Sequence, residues 1–173
     1  MKRSGQFSTF KQRGEWVELL FMAAAASHGY HILKPWGDSL AYDVGIEQNG
    51  DLLRVQVKSS TARRGAGYSC NFVPNHHAKK DYSLDSVDLF ATYVIPERIW
   101  YLIPAAVLLG DVRKFALMLC PVSGRWNVCK YEQYREAWGL LSKDRRELAR
   151  HAEVHRTPAA KRRENTAPDV SPG

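Results

Sequence analysis

Cysteine is scarce in this 173-residue chain, with Cys70, Cys120 and Cys129 as the full complement. An odd number without C-x-x-C spacing indicates neither a disulfide framework nor a zinc site, and fits a reducing compartment. Long apolar runs are absent as well. Lys11, Arg13 and Glu15 separate Met1-Lys2-Arg3 from the apolar stretch at Trp16, and Glu18 interrupts that stretch. This breaks up a signal-peptide core, and no segment approaches the roughly 20 apolar residues that span a bilayer. Together these absences predict a soluble, cytoplasmic protein with no membrane partner. No internal repeat is present. Acidic residues are the minority charge, 18 against 25 Lys and Arg, giving a formal net charge of +7 that favours an anionic partner.

What is present is led by one turn signal. Asn49-Gly50 lies between two stretches of alternating residues, Ala41 to Gln48 and Asp51 to Lys58. That dipeptide suits a two-residue type I′ hairpin turn, in which Gln48 faces Asp51 and Asp43 faces Gln56. Tyr42, Val44 and Ile46 then share an apolar face with Leu53, Val55 and Val57, while Asp43, Arg54, Gln56 and Lys58 share the polar one. Position 43/56 is predicted to be a non-hydrogen-bonded pair with Cα atoms about 4.5 Å apart, with Lys58 on the diagonal at roughly 7–8 Å. A carboxylate, an amide oxygen and an ammonium on one patch suit metal-dependent hydrolysis, which needs oxygen ligands for a hard cation and a positive group beside the attacking water. An ordinary half-exposed hairpin carries the same residue types on its wet face, and that alternative stands.

Glu15 to Ser27 reads as a helix, with Gly14 before it and His28-Gly29 closing it. Its body from Trp16 to Ala26 is apolar on nearly every face, which predicts extensive burial with Glu18 as the exception. A carboxylate there either faces a metal or partner, or lies on a narrow solvent stripe near the helix N-terminus.

Strands are predicted at Tyr30 to Leu33, Tyr68 to Val73, Val87 to Ile95 and Ile99 to Ile103, with a last pair from Phe115 to Leu119 and Trp126 to Lys130. Arg63 to Gly67 reads as a flexible loop, Pro74 to Tyr82 as an irregular basic connection, Tyr131 to Leu141 as helical and residues 142–156 as a polar helix. From Thr157 the composition cannot sustain a core; Lys161-Arg162-Arg163 there is either a phosphate-contacting extension or a solvated terminus. Arg63, Arg64, Lys79 and Lys80 are candidate nucleic-acid contacts near the Lys58 edge, or an exposed loop. His76 and His77 would point to opposite faces of a strand and suit a metal pair poorly. Asp85 and Asp88 offer further carboxylates, although Asp88 can equally cap its strand. Trp16, Tyr93, Trp100 and Tyr101 read as core.

The Gly14-to-Glu18 helix start, the segment HGYHILKPWGDSLAYDVGI and, after the turn, RVQVKSS resemble the PD-(D/E)XK nuclease superfamily, in particular its branch containing a cyanobacterial group I intron homing endonuclease; archaeal Holliday junction resolvases are more distantly similar. The resemblance continues through SVDLFATYVIPERIWYLIPA and KYEQYREAWGLL, covering roughly residues 12 to 141. It implies an α/β, restriction-endonuclease-like core, a mixed β-sheet flanked by helices, over residues 1–141, followed by a basic extension and tail over 142–173. It also implies an endonuclease that uses Mg²⁺, with Mn²⁺ able to substitute, to hydrolyse phosphodiester bonds in DNA. By that resemblance Asp43 is the metal-binding aspartate, Gln56 stands where glutamate is usual, Lys58 is the catalytic lysine and Glu18 is the acid of the first helix. The Val57 backbone carbonyl completes the implied ligand set. Tyr42 replaces the motif's proline, and Gln56 removes one negative charge while keeping an oxygen ligand. The alternative is a noncatalytic DNA-binding module on the same fold. Cutting both strands would suit a homo-oligomer, dimer or tetramer.

Overall fold

The computed structural model describes residues 7, 9–37, 39–72, 82–109, 116–121 and 130–154. Helix α1 spans Phe10–Ser27, so it starts before the predicted Glu15 and contains Gly14. The start is set by Thr9, whose hydroxyl accepts the Gln12 N–H at 3.1 Å and satisfies one of the helix's unpaired donors. His28 and Gly29, the latter at φ 86°, end it as expected. Burial is narrower than the composition predicts: Val17, Phe21 and Ala25, one per turn, are buried, while Leu19 is 61% exposed. One stripe meets the sheet, and among the described residues nothing covers Leu19 on another side.

Five strands form the main sheet in the order β1-β2-β3-β6-β7: His31–Leu33, Val44–Gln48, Asp51–Ser60, Leu89–Val94 and Ile99–Pro104. All neighbours are antiparallel except β3 and β6, which pair in parallel from Val55↔Leu89 to Ser60↔Val94. Every residue of β6 is buried, as its uninterrupted apolar and β-branched run requires. Phe21 meets Trp100 edge-on at 5.5 Å and stacks on Trp138 at 6.0 Å, fixing α1 against one face. Tyr93, Trp100 and Tyr101 are buried, and Trp16 packs against Tyr93, as the aromatic pattern predicts.

A second sheet joins β4 (Ala62–Arg64), β5 (Gly67–Asn71) and β8 (Ala116–Leu119). The predicted 63–67 loop is therefore a strand and a turn, with Arg63 paired to Tyr68. Gly67 is required by close approach, since a Cβ would lie 2.6 Å from the Leu119 carbonyl oxygen. Strand β8 pairs with β5; most of its predicted partner, Trp126 to Lys130, lies outside the described residues. Cys70 is buried and free, whereas Cys120 is disulfide-bonded, a bridge that the cysteine spacing does not indicate.

Tyr131 to Leu141 is not one helix. It forms two 3₁₀ segments, Glu132–Tyr134 and Trp138–Ser142, broken at Glu136 with φ 48°. Glu136 is committed to β7 instead: its N–H donates to the Trp100 carbonyl, and its carboxylate accepts from Trp100 N at 2.7 Å and Trp138 Nε1 at 2.8 Å. After the short helix α2 (Ala105–Leu109), the last described element is α3 (Arg145–Val154), in which Leu148 is buried. Asp88, only 4% exposed, ties α3 to β6 by accepting from Arg145 Nε at 2.8 Å. The same carboxylate receives Arg54 through its main-chain N–H at 2.8 Å and its guanidinium at 2.9 Å. Among the described residues no helix is long and apolar enough to cross a membrane.

Candidate active site

Asn49 and Gly50, at φ 53° and 85°, make the turn that sequence predicts and pair Gln48 with Asp51. The ladder ends at Val44↔Val55, one step short of the predicted 43/56 pair. Asp43 leaves the ladder, its N–H donating to the Val55 carbonyl at 2.9 Å. Its side chain adds two further contacts with β3. The carboxylate accepts the Val57 N–H at 2.8 Å and the Gln56 Nε2–H on the same oxygen, Oδ2.

Glu18 reaches this point from α1. Its carboxylate, about one quarter exposed, accepts from Lys34 Nζ at 2.5 Å, and the same ammonium donates to the Asp43 carbonyl at 2.9 Å. Lys58 projects from β3 and donates to the Tyr82 hydroxyl at 2.7 Å, with its Nζ 5.1 Å from the ring centroid. Burial pushes the Asp43 carboxyl up from 3.8 to about 6, and repulsion by Glu18 adds to the rise; the Val57 N–H, Lys58 and Lys34 act in the opposite direction. Glu18, Asp43, Gln56 and Lys58 therefore lie at one place, as the sequence predicts.

The donors available there are the Asp43 and Glu18 carboxylates, the Gln56 Oε1 left by the Nε2 bond to Asp43, and the Val57 carbonyl. All are hard oxygens, the type that Mg²⁺ selects, so the residues fit the implied cation. Acidity is limited: among the described residues no three of His, Cys, Asp and Glu come together to hold a metal.

The remaining candidates either lie elsewhere in the fold or fall outside the described residues. Arg63 and Arg64 are exposed on β4. Lys79, Lys80, His76 and His77, with the chain beyond Val154, lie outside the described residues. His28 Nδ1 contacts the Ala24 carbonyl at 2.9 Å and its ring stacks on Trp138 at 4.5 Å. Asp88 is taken up by Arg54 and Arg145, which makes it a structural anchor, not a further ligand.

A family model described as PD-(D/E)XK endonuclease matches residues 8–141, a span that includes all four converging side chains. The chain belongs to the PD-(D/E)XK endonuclease family. No curated protein matches it. Among solved structures, the chain is similar to a bacterial homing endonuclease, I-Ssp6803I, with 26% identity and a TM-score of 0.66, covering 86% of this chain and 99% of that one. The mixed sheet with flanking helices is the restriction-endonuclease-like fold expected of the family. Two residues at the site escape the sequence reading. Lys34 follows a three-residue strand and carries no periodic signal, and Tyr82 lies 24 positions from Lys58 in the chain. Only the adjacency of Lys34 to Leu33, which β1 pairs with Gly45 near Asp43, offered a clue.

Proposed function

We propose that the chain is a metal-dependent endonuclease that hydrolyses phosphodiester bonds in DNA. The observation that carries this reading is the Asp43 carboxylate, held by the Val57 N–H and Gln56 between Glu18 and the two ammonium groups of Lys34 and Lys58. Mg²⁺, or Mn²⁺ in its place, would be held by Asp43, the Gln56 Oε1, the Val57 carbonyl and Glu18 directly or through water. When bound it would supply Lewis-acid stabilisation of charge on the scissile phosphate and lower the pKa of water. Lys58 orients the water for attack at phosphorus and stabilises the charge that develops. The Tyr82 hydroxyl holds the Lys58 ammonium in a defined position. Asp43 sets the geometry of β3 at this point, because its Oδ2 receives two donors from consecutive residues.

Arg63 and Arg64, exposed on β4, supply phosphate contacts, and Lys79 and Lys80 extend the same basic edge in sequence. The likeness to a homing endonuclease supports DNA as the substrate, and a symmetric oligomer would present the paired sites needed to cut both strands. The second reading, a noncatalytic DNA-binding module, is favoured by one observation: with Gln56 in place of an acid, the site has two acids among the described residues. Incubating the protein with supercoiled plasmid and with branched DNA, in Mg²⁺, Mn²⁺ and EDTA, separates the two. Nicking that EDTA abolishes supports the enzyme; salt-dependent binding without nicking supports the module.

A further inference from the structure

Lys34 is placed by the fold and not by its own sequence neighbourhood. Strand β1 ends at Leu33, which is paired with Gly45, so the next residue emerges beside the start of β2. From there its ammonium bridges the Glu18 carboxylate and the Asp43 main-chain oxygen, at 2.5 and 2.9 Å. An ordinary surface ion pair joins two side chains; this one joins the helix acid to the backbone of the other acid. The Lys34 side chain is 47% exposed, so it has solvent to move into. Asp88 offers the contrast, since its bond to Arg54 joins side chains only 4% and 15% exposed.

Charge among the described residues of the site follows directly. The Glu18 and Asp43 carboxylates face the Lys34 and Lys58 ammonium groups, and Gln56 adds nothing. With all four groups ionised, the set sums to zero. A hard divalent cation draws its affinity from anionic ligands, and an ammonium within a few ångströms opposes it. Neutrality therefore leaves little to attract the cation until a further negative group enters. A DNA phosphate is such a group.

We propose that Lys34 is a built-in counter-cation and a positioning residue: it holds Glu18 at the site without metal and makes cation uptake depend on a nucleic-acid phosphate being present. This rests on the nuclease reading and deepens it. Because coupling between two ligands is reciprocal, the cation must strengthen DNA binding by the factor by which DNA strengthens cation binding. Water seldom meets a loaded site without substrate, which limits idle chemistry.

The test is Mn²⁺ titration of the full chain, followed by electron paramagnetic resonance, with and without a short duplex DNA. Wild type should bind Mn²⁺ weakly alone and about tenfold or more tightly with DNA, the fold-change equivalent to about 1.4 kcal/mol. Lys34→Met should bind Mn²⁺ about tenfold more tightly than wild type in the absence of DNA and gain less from adding it. Lys34→Arg, which keeps the charge, should behave as wild type. Lys34→Gln provides the same test as Met if the latter fails to fold. Equal DNA-free affinities in wild type and the neutral variants overturn the proposal, and Mg²⁺-dependent plasmid nicking by wild type then shows that the nuclease reading survives it. Absence of Mn²⁺ uptake in every protein, with DNA present and no nicking, overturns both.

Discussion

The Asp43 carboxylate accepts the Val57 N–H at 2.8 Å from a position just outside the β2–β3 ladder. One side chain thus extends the strand pair beyond the last backbone bond, from Asp43 N–H to the Val55 carbonyl, and it is the same side chain proposed to hold the cation. Truncation to alanine would strand a buried donor, at a cost of about 1–3 kcal/mol. Asparagine is the better probe, because its Oδ1 can take the place of Oδ2 for both donors.

Asp43→Asn should stabilise the metal-free protein at neutral pH. The folded carboxyl titrates at about 6 against an ordinary 3.8, so the native state binds the proton more tightly than the unfolded chain. Its contribution to stability is fully present below 3.8 and is lost as pH rises through 6. About two pKa units correspond to roughly 3 kcal/mol. Urea denaturation in EDTA should show the variant ahead of wild type at pH 7.5 and the gap closing by pH 4; parallel curves would contradict the assignment.

Gln56→Glu should tighten Mg²⁺ binding at nearly constant size, because a hard cation gains an anionic ligand. Activity need not follow, since a more tightly held cation polarises the phosphate less. Calorimetry of wild type, Gln56→Glu and Gln56→Ala should rank them Glu, wild type, Ala. Identical metal dependence in all three would remove residue 56 from the ligand set.

Tyr82→Phe keeps the ring that packs edge-on against Phe90 at 5.3 Å and deletes the acceptor of the Lys58 ammonium. Loss of one such hydrogen bond is worth about 1 kcal/mol, so kcat should fall about fivefold with KM little changed. Steady-state kinetics on a short duplex check this; a change confined to KM would place Tyr82 in binding instead.

Asp88→Ala should destabilise the fold by about 3–5 kcal/mol, because it leaves the largely buried Arg54 charge unpaired and releases Arg145. Mn²⁺ uptake by the folded fraction should be unchanged. Loss of uptake at full folding would mean that Asp88 serves the cation site after all.

The hairpin and its four polar residues were legible because a two-residue turn fixes register and a strand alternates with a fixed period; Asn49 and Gly50 needed no tertiary information. Glu18 was legible as the one charge in the apolar run from Trp16 to Ala26. The rest depended on contacts between distant segments. Lys34 reaches Glu18 through the β1–β2 register, and Tyr82 meets Lys58 from 24 positions away in the chain. Glu136 replaces a helix with two 3₁₀ turns because its carboxylate and N–H are taken by β7, a competition that local spacing does not reveal. Arg63 and Arg64 read as a loop because charged residues and nearby glycines conceal a short edge strand.

Conversion of supercoiled plasmid to nicked circles by wild type and Asp43→Asn, side by side in Mg²⁺ and in EDTA, tests the central claim most directly. The expected result is nicking by wild type in Mg²⁺ alone, and none by the variant although it binds DNA and is at least as stable. Equal nicking by the two proteins, with contaminating nuclease excluded, would contradict the proposal that the Asp43 site is the catalytic centre.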